Sequence, residues 1–157
     1  MSDTNAPVSR RQFCAGACHA ASGVTLATLF AGCGDGSPTS PSGTAAMLGV
    51  LAGRFTGAAV QVTVAGSALD NVGGAVRVES TAGLFLVSRT SASSFTAIDA
   101  VCTHEGCTIT GADGDAYVCP CHGSRYNRTG QVLGGPARSS LRRYPTTFVD
   151  GVLTIAL

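Results

Sequence analysis

Two short boxes constrain this chain more than any other feature in it. Cys102-Thr103-His104-Glu105-Gly106-Cys107 and Cys119-Pro120-Cys121-His122-Gly123-Ser124 gather four cysteines and two histidines into a short stretch. Beyond residue 33 the chain has no other histidine or cysteine. Thiols and imidazoles collected on this scale mark a metal site, because both are good ligands for transition metals. Fourteen residues, Glu105 to Val118, separate His104 from Cys119, and they include a turn signal at Asp113-Gly114. The spacing therefore places the boxes at the tips of two neighbouring loops. At this level a Cys2His2 zinc site competes with an iron–sulfur centre. Zinc requires neither the second cysteine pair, Cys107 and Cys121, nor the Gly-Ser-x-Tyr tail that ends at Tyr126.

The chain around the boxes reads as β. Ala59–Val64 alternates apolar and polar residues, and Ala75–Val78, Leu84–Val87 and Ser94–Ile98 follow as short β-type runs between turn residues. Thr147–Val149 and Val152–Ile155 flank Asp150-Gly151, a strong hairpin signal because both central positions must tolerate positive φ. No stretch after residue 47 keeps a helical period for three turns. The expectation is one small all-β domain over residues 47–157, of about eight to ten strands. Only 12% of residues are charged and the formal net charge is +1. That balance lacks the basic stripe a nucleic-acid partner requires.

The first 46 residues read differently. Arg10-Arg11 precedes a weakly apolar run, Phe13 to Gly32, rich in Ala, Gly, Ser and Thr. This resembles a twin-arginine (Tat) export signal and is too mild for a permanent membrane span. Leu29-Phe30-Ala31-Gly32-Cys33 resembles a lipobox, with Phe30 in place of the usual small aliphatic residue, and makes Cys33 a candidate for lipidation. Cys14-Ala15-Gly16-Ala17-Cys18-His19 looks like a haem attachment with one extra spacer, but it lies inside the signal. Residues 1–33 are thus read as signal, and 34–46 as a flexible Gly/Ser/Pro linker.

With both boxes in view, C-T-H-x-G-C followed by C-P-C-H-G-S resembles the signature of Rieske [2Fe–2S] iron–sulfur proteins, closely from about Val101 to Ala137. The resemblance implies an antiparallel β-sandwich with a cluster-binding subdomain of two loops. It implies one [2Fe–2S] cluster per chain, with Cys102 and Cys119 on one iron and His104 and His122 on the other. It implies a Cys107–Cys121 disulfide, and hydroxyls at Ser124 and Tyr126 that donate to sulfur and raise the potential. Gly135 and Pro136 belong to a loop resembling the family's cluster-shielding proline loop. Two neutral imidazoles in place of thiolates make reduction easier by several hundred millivolts.

The implied function is one-electron transfer through a high-potential cluster, as a carrier rather than a catalyst by itself. The expected setting is a membrane-associated respiratory chain at the periplasmic or outer face of the cytoplasmic membrane, with a lipid or signal anchor. Its partners would be a cytochrome or quinol-oxidising complex, as for the Rieske subunit of cytochrome bc complexes. The alternatives are a stand-alone periplasmic carrier and the small subunit of a molybdenum oxidase such as arsenite oxidase. Glu105 stands where cytochrome bc Rieske proteins usually carry an aliphatic residue. Arg125, Arg128, Arg138, Arg142 and Arg143 are a candidate docking patch for an acidic partner. A catalytic oxygenase would need a further 2-His-1-carboxylate iron site, and beyond residue 33 the chain has no histidine to spare for one.

Overall fold

A computed structural model describes residues 45–157, which hold fourteen short strands and one 3-10 turn (Ala68–Asp70). In chain order the strands are β1 (Ala46–Met47), β2 (Gly49–Ala52), β3 (Arg54–Phe55), β4 (Ala59–Thr63), β5 (Ala75–Ser80), β6 (Gly83–Arg89) and β7 (Phe95–Asp99). They continue as β8 (Gly111–Asp113), β9 (Ala116–Val118), β10 (Arg125–Asn127), β11 (Val132–Gly134), β12 (Arg143–Tyr144), β13 (Thr146–Val149) and β14 (Val152–Ala156). The expected runs all appear as strands. The count exceeds the expected eight to ten because pieces of two to four residues carry too little pattern to be read from sequence. The arginine pair, the apolar run and Cys33 lie outside the described residues.

Three sheets form, in the orders β13-β14-β4-β3, β12-β7-β6-β5-β2 and β1-β8-β9-β10-β11. Pairing is antiparallel except between β2 and β5, which run parallel. The first two sheets make the base. Val60 and Val62 of β4, and Leu153 and Ile155 of β14, meet Val76 and Val78 of β5 and Phe85 and Val87 of β6 in one buried core. Each such side chain contributes about 1.5–3 kcal/mol when fully buried. The Asp150-Gly151 pair closes the β13–β14 hairpin with both residues at positive φ, as expected.

The middle sheet is buried on both faces, which explains why β6 reads as an unbroken apolar run. Phe85 and Val87 face the base. Leu86 and Ile98, opposite one another on β6 and β7, belong instead to a second core with Ile109, Tyr117, Tyr126, Cys102 and Cys119. That second core carries the third sheet and both boxes. The N-terminal stretch stitches the layers together: β1 pairs with β8, β2 with β5 and β3 with β4, so ten residues touch all three sheets.

Candidate metal centre

The two boxes fold into loops built to one plan. In the first, Gly106 N–H donates to the Cys102 carbonyl at 2.9 Å and Cys102 N–H to the Cys107 carbonyl at 2.8 Å. In the second, Gly123 N–H donates to the Cys119 carbonyl at 3.1 Å and Cys119 N–H to the Ser124 carbonyl at 2.8 Å. Gly106 and Gly123 close these turns at φ of 75° and 70°, a conformation that strains any residue with a Cβ. The plan buries the first cysteine of each box and lifts the histidine to the tip. Cys102 and Cys119 are 2% and 1% exposed and are free thiols. His104 and His122 face each other with Nδ1 atoms 3.3 Å apart and rings edge to face.

Cys107 and Cys121 form the expected disulfide and tie one loop to the other. A third loop, following β11, leans on them. Gly135 packs so closely that a Cβ there would lie 2.5 Å from Ser124 Cα, so this position has room for glycine alone. Pro136 follows it, and Ala137 N–H then donates to Ser124 Oγ at 3.2 Å.

Tyr126 sits behind Cys102, fully buried, with its hydroxyl 3.3 Å from the sulfur. A donor count narrows where its proton goes. Thr103 N–H donates to the tyrosine oxygen at 3.2 Å, and Thr103 Oγ1 donates to the Ser139 carbonyl at 2.6 Å. The tyrosine proton is left to the Cys102 sulfur or to Thr103 Oγ1, which lies 3.1 Å away. Thr103 escaped sequence reasoning. It lies between two candidate ligands, and its role depends on residues 23 and 36 positions away.

The thiols are held unequally. Burial pushes the Cys102 thiol up, but hydrogen bonds from the Tyr126 hydroxyl, the His104 backbone, Cys119 and Ser124 together bring it below the ordinary value. Burial raises Cys119, and the neighbouring Cys102 raises it further. Burial and the bond to Cys102 raise the Tyr126 hydroxyl, keeping it protonated as a donor.

The donor chemistry fits an iron–sulfur cluster. Two free thiols, Cys102 and Cys119, are buried and hydrogen-bonded to each other, and donor atoms of His104, Glu105 and His122 lie within 4.8 Å of one another at the tip. The sulfurs of Cys107 and Cys121 are taken up by their disulfide and are not free to bind a metal. Glu105, at the tip of the first loop, is 60% exposed, with carboxylate oxygens 3.7 Å from His122 Nδ1 and 4.0 Å from His104 Nε2.

Three of the five arginines considered as a docking patch are engaged within the fold. Arg125 pairs with Asp113 at 2.9 Å, Arg128 lies over the Tyr117 ring and donates to the Gly114 carbonyl, and Arg142 lies over Tyr144. Arg138, Arg142 and Arg143 are exposed.

A fold of stacked β-sheets with paired Cys/His loops, a bridging disulfide and buried free thiols defines an iron–sulfur protein. The family described as the Rieske [2Fe-2S] domain matches residues 56–145, more than half of the chain, and the chain belongs to that family. Its cofactor is one [2Fe–2S] cluster. Over 50 residues the chain is 48% identical to the cytochrome b6-f complex iron-sulfur subunit of Chlorobaculum thiosulfatiphilum, covering 31% of this chain and 28% of that one. Over 65 residues it is 35% identical to the subunit of the same name from Chlorobaculum tepidum, covering 41% and 36%. The matches thus span roughly a third of these relatives' length. Among solved structures, the plasma membrane Rieske protein PetC3 of Synechocystis PCC 6803 aligns with TM-score 0.48 at 28% identity, over 53% of this chain and 86% of that one. Among the described residues no helix is long and apolar enough to cross a membrane.

Proposed function

We propose that Cys102 and Cys119 hold one iron as thiolates, that His104 and His122 hold the other through imidazoles, and that the protein carries electrons one at a time. The observation that carries this reading is the pair of imidazoles facing each other at an accessible tip, with two free thiols buried behind them. When bound, the cluster stores and releases a single electron. The chain's own residues do the rest. The disulfide and the third loop hold the two tips in register. The burial of Cys102 and Cys119 excludes water from the thiolate side. The imidazole edges are the short path between the site and a partner. The Tyr126 hydroxyl, at hydrogen-bond distance from Cys102 sulfur, and the neighbouring Ser124 hydroxyl stabilise the added negative charge of the reduced state, which raises the potential.

The setting we propose is a membrane-associated electron-transfer chain on the exported side, reached through the Tat-like signal of residues 1–33. The linker of 34–46 and lipid on Cys33 would tether the domain. Relatives that are cytochrome b6-f subunits support a cytochrome complex as partner. The Glu105 carboxylate at the tip favours a second reading, a carrier that docks on another protein rather than on a quinol.

The test is the reduction potential of the holoprotein, after confirming two irons per chain. Clusters of this type span roughly −150 to +300 mV. A value in the upper part of that range is expected; a value near its lower end overturns the high-potential reading.

A further inference from the structure

The tip of the first loop carries a charge that the electron-carrier reading does not use. Of the seven acidic side chains among the described residues, Glu79 pairs with Arg77, Asp113 with Arg125, Asp70 accepts Gly66 N–H and Asp99 accepts Val101 N–H. Asp115 and Asp150 stand at the β8–β9 and β13–β14 turns. Glu105 is different: its nearby charged or ionisable neighbours are the two imidazoles, at 3.7 and 4.0 Å, and it is largely open to solvent. A partner close enough to exchange an electron through either ring must come within a few ångströms of this carboxylate. Arg138 stands exposed to one side, between Ala137 and Ser139, which bond to Ser124 and Thr103. It makes no hydrogen bond or ion pair to either imidazole among the described residues. The negative charge therefore stands beside the rings themselves.

We propose that Glu105 determines partner specificity: it makes the electron-exchange tip selective for a redox protein whose docking face is cationic, a rim of lysine or arginine around its own centre. The inference rests on the reading of the imidazole pair as the exchange site. The physical reason is that in water a single carboxylate beside the contact point, about 15 Å from the centre of the partner's charge, changes the local concentration of that partner about 1.5-fold per unit of partner charge. A neutral hydroquinone gains nothing from it.

The test compares two one-electron oxidants of opposite charge on the reduced holoprotein. Tris(phenanthroline)cobalt(III) and ferricyanide each take one electron, cobalt(III) becoming cobalt(II) and iron(III) becoming iron(II), with no proton or second reactant. The ratio of their rate constants cancels, to first order, any change in the protein's potential. In Glu105→Gln the cation-to-anion ratio should fall about tenfold at low ionic strength, further in Glu105→Lys. The difference should fade as salt shortens the screening length. Reduction of a lysine-rimmed c-type cytochrome should slow in the same order. An unchanged ratio in both variants overturns the proposal while leaving the electron-carrier reading standing. Failure of the wild-type holoprotein to exchange electrons with either oxidant overturns both.

Discussion

The base and the site subdomain are both small β structures, yet they are held together by different means. The base core is almost wholly Val, Leu, Ile and Phe drawn from alternating strands. The second core mixes Leu86, Ile98 and Ile109 with two buried tyrosines and the two free cysteines, and its strands are mostly three residues long. Apolar burial is non-directional and makes the base tolerant of detail. The site depends on directional links: a disulfide, the Tyr126–Thr103–Ser139 hydrogen bonds, and a glycine pressed against Ser124. The two regions meet at the middle sheet and at Thr96, whose hydroxyl donates to the Arg128 carbonyl and neighbours Ser88 Oγ at 2.7 Å. The contrast teaches that one region supplies stability and the other supplies position.

Three substitutions would break or sharpen that contrast. Leu153→Ala, deep in the base, should lower global stability by about 2–5 kcal/mol through the cavity it leaves. Denaturant unfolding would read this, and the visible spectrum of the folded holoprotein should stay unchanged. A changed visible spectrum in the folded variant would show that the two regions are not separable in this way. Replacing both Cys107 and Cys121 by serine should cost about 3 kcal/mol, as expected for releasing a loop of this size. Here hydrogen exchange should rise in the two box loops while β4 and β14 stay protected, and iron content should fall on storage. Uniform loss of protection across both regions would contradict a local role. Tyr126→Phe should be the mildest. Losing one hydrogen bond to Cys102 sulfur, of about 1 kcal/mol, corresponds to a fall in potential of about 40 mV for one electron. An unchanged potential would mean that the tyrosine proton rests on Thr103 Oγ1 instead.

Much of this was legible in the residues. The strands Ala59–Thr63 and Val152–Ala156 show their alternation, and the Asp150-Gly151 turn fits the hairpin it forms. The two boxes bring Cys102, His104, Cys119 and His122 to one end of the domain, as their spacing suggested. Residues 46–55 were not legible, because two-to-four-residue pieces divided among three sheets have no period of their own. The individual settings of the arginines were not legible, since a sequence cannot show that Arg128 lies over Tyr117 or that Arg125 meets Asp113.

The sequence by itself determined the all-β class, the two Cys/His boxes and the family, because local turn chemistry and residue identity are written in adjacent residues. Only the tertiary structure decided that Thr103 joins Tyr126 to the third loop, that Gly135 must be glycine, and that Glu105 stands at both imidazoles. Those facts depend on contacts between segments up to 36 residues apart. Such contacts are set by how sheets stack and loops approach, which no local pattern encodes.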